Sequence, residues 1–380
     1  MARLPYLLVL TSLLAACSED AVSPTAAPGA ASRSTANGAA PGAVYTETNS
    51  ASGNAVLVFQ RAADGTLTGA GTVATGGTGT GAGLGSQGSV TLSDNGNWLL
   101  VVNAGSNEVS SFAVGQNGAL TLRGRASSGG TMPISVAIHE DLVYVLNAGG
   151  AGNIAALRLG ADGSLTPIAG SSRALSGSAV GPAQVSFDHT GSWLVVTEKN
   201  TNKIDTWHVG GDGLATGRVI NASSGETPFG FTFTTQGVLA VSEAFGGAPN
   251  ASATSTYTIN PDGTLHVISA STPTTETSAC WAVATNNGRF IYVTNAVSAS
   301  VTGYSSAQGS LALLQPDGVS AQVGAGANDA AVTRSSQYLY EVSGGAHTIS
   351  GFAVSQATGA LTAAGTPTYV PAGVVGIAAK

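Results

Sequence analysis

The chain is poor in cysteine, in charge and in long apolar runs, and each shortage excludes something. Its 380 residues hold two cysteines, Cys17 and Cys280, too few for a disulfide framework, and no Cys-x-x-Cys-His haem attachment is present. Charged residues are 9% of the chain and the net charge is −7. With no basic stripe, the footprint that nucleic acid requires is missing. The apolar segment at residues 4–14 is shorter than the about 20 residues of a membrane span, and nothing else comes near that length without charges or glycines. No long stretch repeats apolar residues at helical spacing. No His/Cys/Asp/Glu set has the spacing of metal ligands, so neither metal nor other cofactor is expected. Residues 76–88 are rich in glycine but lack the lysine and the helix of a phosphate cradle; they read as a long loop or a weak outer strand.

What is present begins with an export signal. Arg3 precedes the short apolar segment, and Leu14-Ala15-Ala16-Cys17 closes it with the small residues that a signal peptidase needs. A cysteine at that boundary resembles a bacterial lipobox, with Cys17 lipidated and becoming the mature N-terminus; an ordinary secretory signal is the alternative. Ser18 in place of an aspartate points, by the same resemblance, to the outer membrane. The protein is therefore expected outside the cytoplasm, as a monomer tethered by lipid alone. Residues 18–42, mostly Ala, Ser, Pro, Thr and Gly, cannot bury enough surface to offset their ordering and read as a flexible tether. Residues 43–380 are the folded domain. If Cys17 is lipidated, Cys280 is left without a partner, and stability comes from core burial and sheet pairing.

Glycine is abundant, with 53 residues, and it is ordered in a repeat. Asp64-Gly65-Thr66-Leu67 returns as Asn117-Gly118-Ala119-Leu120, Asp162-Gly163-Ser164-Leu165, Asp212-Gly213-Leu214, Asp262-Gly263-Thr264-Leu265, Gln308-Gly309-Ser310-Leu311 and Thr358-Gly359-Ala360-Leu361. A period of about 45–53 residues is that of propeller blades. In the fourth unit, residues 184–187, 193–197 and 203–209 alternate polar and apolar side chains or run β-branched, as strands do. The spacing predicts an all-β, seven-bladed propeller of four-stranded antiparallel blades. The first unit starts at Val44-Tyr45-Thr46 without an innermost strand, and the C-terminal residues 373–379 supply it, closing the ring and removing free sheet edges.

In such a blade, the loop entering the first strand and the loop leaving the second share one face, and the Asp-Gly turns lie on the other. On the first face the inner strands begin near Gln184, Phe229 and Trp281, and the second strands end at Asn103, Asn147, Glu198-Lys199, Glu243, Asn295 and Ser343, with His347 just beyond the last. Glu198 and Glu243 are the candidate catalytic carboxylates and Lys199 the candidate oxyanion partner. Gln184, Phe229, Trp281, Asn103, Asn147, Asn295 and His347 are candidate substrate contacts. The structural alternative is that these Asn and Glu side chains hold loop backbone. His139 and His189 fall in turns on the far face and His208 and His266 in outer strands, which sets them aside. Cys280 reads as a small buried residue rather than a nucleophile.

With Gly181-Pro182 opening an inner strand and an apolar strand ending at Thr197-Glu198, residues 44–380 resemble the seven-bladed lactonases, the family of 6-phosphogluconolactonase and carboxymuconate cyclase. That family's first motif ends in Arg-His, where this chain has Ala183-Gln184. Its second ends in Asn-Glu, of which Glu198 remains. A His-containing motif is replaced by Ser86-Gln87-Gly88. The resemblance implies hydrolysis of a lactone, and the lost basic pair implies an uncharged ring, of a sugar or related compound, rather than a phosphorylated one. A non-catalytic surface propeller that binds a saccharide or a protein is the alternative.

Overall fold

The computed structural model describes residues 41–380; the export signal, Cys17 and the tether lie outside the described residues. Seven antiparallel sheets form the blades. In chain order, the inner strands of blades 2 to 7 are Val90–Leu92, Pro133–His139, Pro182–Phe187, Pro228–Phe233, Ala279–Ala284 and Ala327–Val332. Blade 1 takes Gly42–Glu47 as its second strand and receives its inner strand from the C-terminus, Val375–Ala379. Val44 stands opposite Ala379 and Glu47 opposite Val375, so the ring closes as expected. Blades 3, 6 and 7 add a short fifth strand that pairs with the third. One 3₁₀ turn, Phe245–Gly247, interrupts the β pattern, and among the described residues no helix is long and apolar enough to cross a membrane.

The repeated glycine turn does more than reverse the chain. Its acidic residue bonds the backbone two residues on, as Asp64 Oδ1 accepts from Thr66 N–H and Asp262 Oδ1 from Thr264 N–H, both at 3.0 Å. The glycine itself has φ between +74° and +93° at Gly65, Gly118, Gly163, Gly213, Gly263, Gly309 and Gly359, where an L side chain is strained. Its carbonyl then accepts a hydroxyl from the preceding blade. Tyr45 donates to Gly118, Ser111 to Gly163, Tyr144 to Gly213, Thr206 to Gly263, Thr256 to Gly309, Tyr292 to Gly359 and Tyr340 to Gly65, at 2.5–2.8 Å. The last bond returns from blade 7 to blade 1. Each blade is thus latched to the next by a buried polar contact, with apolar clusters between the sheets filling the rest.

Two substitutions test the latch. Tyr144→Phe removes the bond to Gly213 and leaves the Ala215 N–H, which donates to the same hydroxyl at 2.7 Å, without a partner; a loss of about 1–3 kcal/mol is expected in denaturant unfolding. Gly118→Ala places a Cβ 2.4 Å from that of Ala43 at φ +79°, and an equal or larger loss is expected.

Candidate active site

The second strands end in side chains that face the seams between blades. Glu198 is fully buried. It accepts from Ser176 N–H at 2.8 Å, from Thr201 Oγ1 at 2.7 Å and from the Ser176 hydroxyl. Ser176 belongs to the crossing that enters blade 4. Glu243 is equally buried and accepts from Gly225 N–H and from the hydroxyls of Ser255 and Ser271 at 2.5–2.8 Å. A Cβ on Gly225 would fall 2.2 Å from that carboxylate. Asn103 accepts from Thr75 Oγ1, and Asn147 donates to the Ser128 carbonyl, both across the same kind of seam. Asn295 donates to Ser300 and Thr302 within its own blade. His347 takes a left-handed backbone at φ +57° in the turn after the second strand of blade 7, where its carbonyl accepts Val370 N–H. The two glutamates share no hydrogen-bond partner, and the structure does not gather the asparagines and His347 around them.

It does gather Lys199, Phe229 and Trp281, with Gln184 on the channel side of the same hub. Phe229 and Trp281 pack with ring centroids 5.2 Å apart and planes tilted by 60°, and Lys199 Nζ stands 4.4 Å from the Phe229 centroid. Gln184 Oε1 accepts Phe231 N–H at 2.6 Å. Cys280 is fully buried in the same apolar cluster as Phe229 and Trp281, a small core residue as its sequence context suggests.

This cluster does not face open water. Residues 76–88, expected as a loop or outer strand, form a strap across the hub at this face. Its root is held by Asn49, which donates from Nδ2 to the Ala82 carbonyl and accepts Thr80 N–H. Its far part reaches blades 3, 4 and 6. Ser86 Oγ donates to the Ile134 carbonyl, Gln87 N–H to that of Ala183, and Trp281 Nε1 to the Ser86 carbonyl. Gln87 exchanges two bonds with the Ala282 backbone, and Lys199 Nζ donates to the Gly85 carbonyl. Gly85 sits at φ +57°, a conformation suited to glycine, and Lys199 Nζ is 3.4 Å from where its Cβ would be. Composition hinted at this segment; its partners, far apart in sequence, could not be read.

Of the cavities that flank the strap, two have room for a ligand. The larger, about 660 Å³, is the central channel, floored by Gln87, Gly88, Gln184 and Asp329 and rimmed on the opposite face by Asp94, His139, Asp188, His189 and Arg334. His139 and His189, set aside on sequence, are therefore channel residues. Their Nδ1 atoms lie 3.8 Å from Asp94 and 3.9 Å from Asp188. The smaller cavity, about 270 Å³, lies between blades 3 and 4 beside the strap, with Lys199 in its wall.

Burial dominates the electrostatics. Lys199 is lowered to about 8 by desolvation. Desolvation raises Asp329 to about 8 against backbone N–H donors that include Ala330, and raises Glu47 to about 8 against bonds from Asn54 and Ser89. Asp205 is raised to about 7, first by burial and then by the charge of Glu198 beside it. Glu243 and Glu341 are also raised by burial.

Seven four-stranded antiparallel blades around a central channel define the fold as a seven-bladed β-propeller. The family model "Lactonase, 7-bladed beta-propeller" matches residues 19–148 and 134–375, and the chain belongs to that family. Among solved structures, the periplasmic gluconolactonase of Pseudomonas aeruginosa superposes with a TM-score of 0.72 at 16% identity, over 90% of this chain and 99% of that one. A candidate 6-phosphogluconolactonase of Bacteroides uniformis gives 0.70 at 19% identity, again over 90% and 99%. At these identities the likeness shows the fold. No curated protein matches the chain.

The buried acids set a pH dependence. Their folded pKa values are raised, so between about pH 4 and 8 the folded protein holds more protons than the unfolded chain. Their contribution is full below pH 4 and is lost as the pH rises to about 8. Thermal unfolding is expected several degrees higher at pH 5 than at pH 8, with the difference reduced in Glu47→Gln and Asp329→Asn. Equal midpoints at both pH values contradict this.

Proposed function

We propose that the protein hydrolyses an uncharged lactone at the strap-covered face of the hub, with Lys199 as the reacting group. The observation that carries this reading is the placement of Lys199: a desolvated amine against Phe229, in the wall of a small cavity. A pKa of about 8 leaves about a tenth of the amine neutral at pH 7, near the match that a general base requires. The neutral amine takes a proton from water as the oxygen adds to the lactone carbonyl. The resulting ammonium faces the developing oxyanion and returns the proton to the ring oxygen as the C–O bond breaks, releasing a hydroxy acid. Family membership and the named gluconolactonase neighbour support the reaction class. The missing Arg-His pair supports an uncharged ring.

In this reading Glu198 is a positioning residue. Its three bonds fix the backbone from which Lys199 projects, and Glu243 fixes the neighbouring seam. Phe229 and Trp281 keep the amine dry, and Gln184 holds the inner strands of blades 4 and 5 in register. The filled hub mouth favours a second reading, a non-catalytic propeller that binds a saccharide or protein on the exported side.

Hydrolysis of a lactone panel, followed by pH-stat, separates these. Lys199→Met is expected to lower kcat/KM by about 10²–10³ and to abolish a pH–rate limb near 8. Glu198→Gln is expected to cost stability first, about 1–3 kcal/mol. Loss of turnover in Glu198→Gln at unchanged stability returns the base to Glu198. No turnover by the native protein moves the reading to the binding propeller.

A further inference from the structure

We infer that the lactone is aliphatic, a five- or six-membered ring with a short alkyl chain, seated between blades 3 and 4 and measured by Leu84 of the strap. This rests on the hydrolytic reading of Lys199. The cavity of about 270 Å³ is walled mainly by Leu84, Ile134, Ala148, Val180 and Pro182, with Lys199 and Asn200 as its polar side chains. Its size lies below the roughly 300–1,000 Å³ of drug-sized ligand sites, which suits a ring and a few methylenes.

The chemistry of the wall decides between ring types. A sugar lactone carries several hydroxyls, and each one buried against these side chains loses its water without gaining a partner. An alkyl chain gains by the same burial. The one polar demand of an aliphatic lactone is its ester group, and the wall offers one cation, Lys199, at the edge where the far part of the strap crosses. Glycines at 149, 150 and 152 line or adjoin the opening, and a Cβ on Gly152 would fall 2.9 Å from the Leu175 side chain, so that wall is already close-packed.

Leu84 sets the depth. It is the one large apolar side chain in residues 76–88 and packs against the cores on both sides. The strap thus closes the wide mouth of the hub with backbone and leaves a narrow apolar recess beside it. A broad polar substrate is excluded and a small apolar one is admitted.

The test uses the purified protein with γ-caprolactone, δ-valerolactone and glucono-δ-lactone, and saturation-transfer NMR with the analogue δ-valerolactam. The native protein is expected to favour the aliphatic rings at least tenfold in kcat/KM. Leu84→Trp, which fills the recess, is expected to lower aliphatic kcat/KM at least tenfold and to remove the lactam signal. Leu84→Ala is expected to shift the preference to longer alkyl chains, a readout that a misfolded variant would not give. Preference for the sugar lactone overturns the inference and leaves the hydrolase standing. Lactam binding that survives Leu84→Trp in a folded variant also overturns it. Leu84-dependent lactam binding without turnover supports the recess and overturns hydrolysis.

Discussion

Everything in this ring depends on the bond between a hydroxyl of one blade and a glycine carbonyl of the next. A propeller's sheets meet face to face through apolar side chains, which attract without direction. Seven wedges packed by that force alone could slide. The latch adds a directional contact at the same place in each seam, and the bond from Tyr340 to Gly65 joins the last blade to the first. Because the glycine occupies a left-handed conformation and also meets its neighbour closely, the turn tolerates no side chain there. One residue answers for the reversal of the chain and for the angle between blades.

The part of this architecture readable in the sequence is the part that repeats. Asp-Gly followed by leucine recurs because each copy serves the same turn, so the blade count and the closure by residues 373–379 could be set from spacing. The latch partners were not readable. The hydroxyl comes from a tyrosine on the second strand in four blades and from serine or threonine on the third strand in three, so no fixed offset marks it. The ends of the second strands mislead for a related reason. Glu198 and Glu243 have the look of catalytic carboxylates, yet like Asn103 they are occupied by hydrogen bonds to the crossing and to their own blade. A carboxylate that meets three or four such donors serves a seam as well as an amide does.

The hub shows the opposite balance. Lys199, Phe229 and Trp281 could be grouped in advance because inner-strand starts and second-strand ends converge in any propeller. What covers them could not, since residues 77–85 alternate glycine with other residues in a way that points to no partner, and their partners lie on blades 3, 4 and 6. Glycine is what lets that segment cross the hub. Its backbone can come close to Lys199 and Trp281 because almost nothing projects from it, and Leu84 is the exception that shapes the recess. The family's basic motif residues are replaced here by Ala183, Gln184, Ser86 and Gln87, and three of those four belong to the strap or its bonds. In this chain the strap's backbone and its polar bonds, not a basic pair, occupy the hub mouth.

The central claim is that Lys199 is a desolvated amine facing a ligand recess. The sequence holds three lysines, at 199, 203 and 380, so amine acylation followed by mass spectrometry reads each separately. Measured against pH with and without δ-valerolactam, Lys199 is predicted to titrate near 8 and to be protected by the lactam, while Lys203 and Lys380 react alike in both conditions. Titration of Lys199 near the ordinary lysine value of about 10.4, with no protection, would contradict the account.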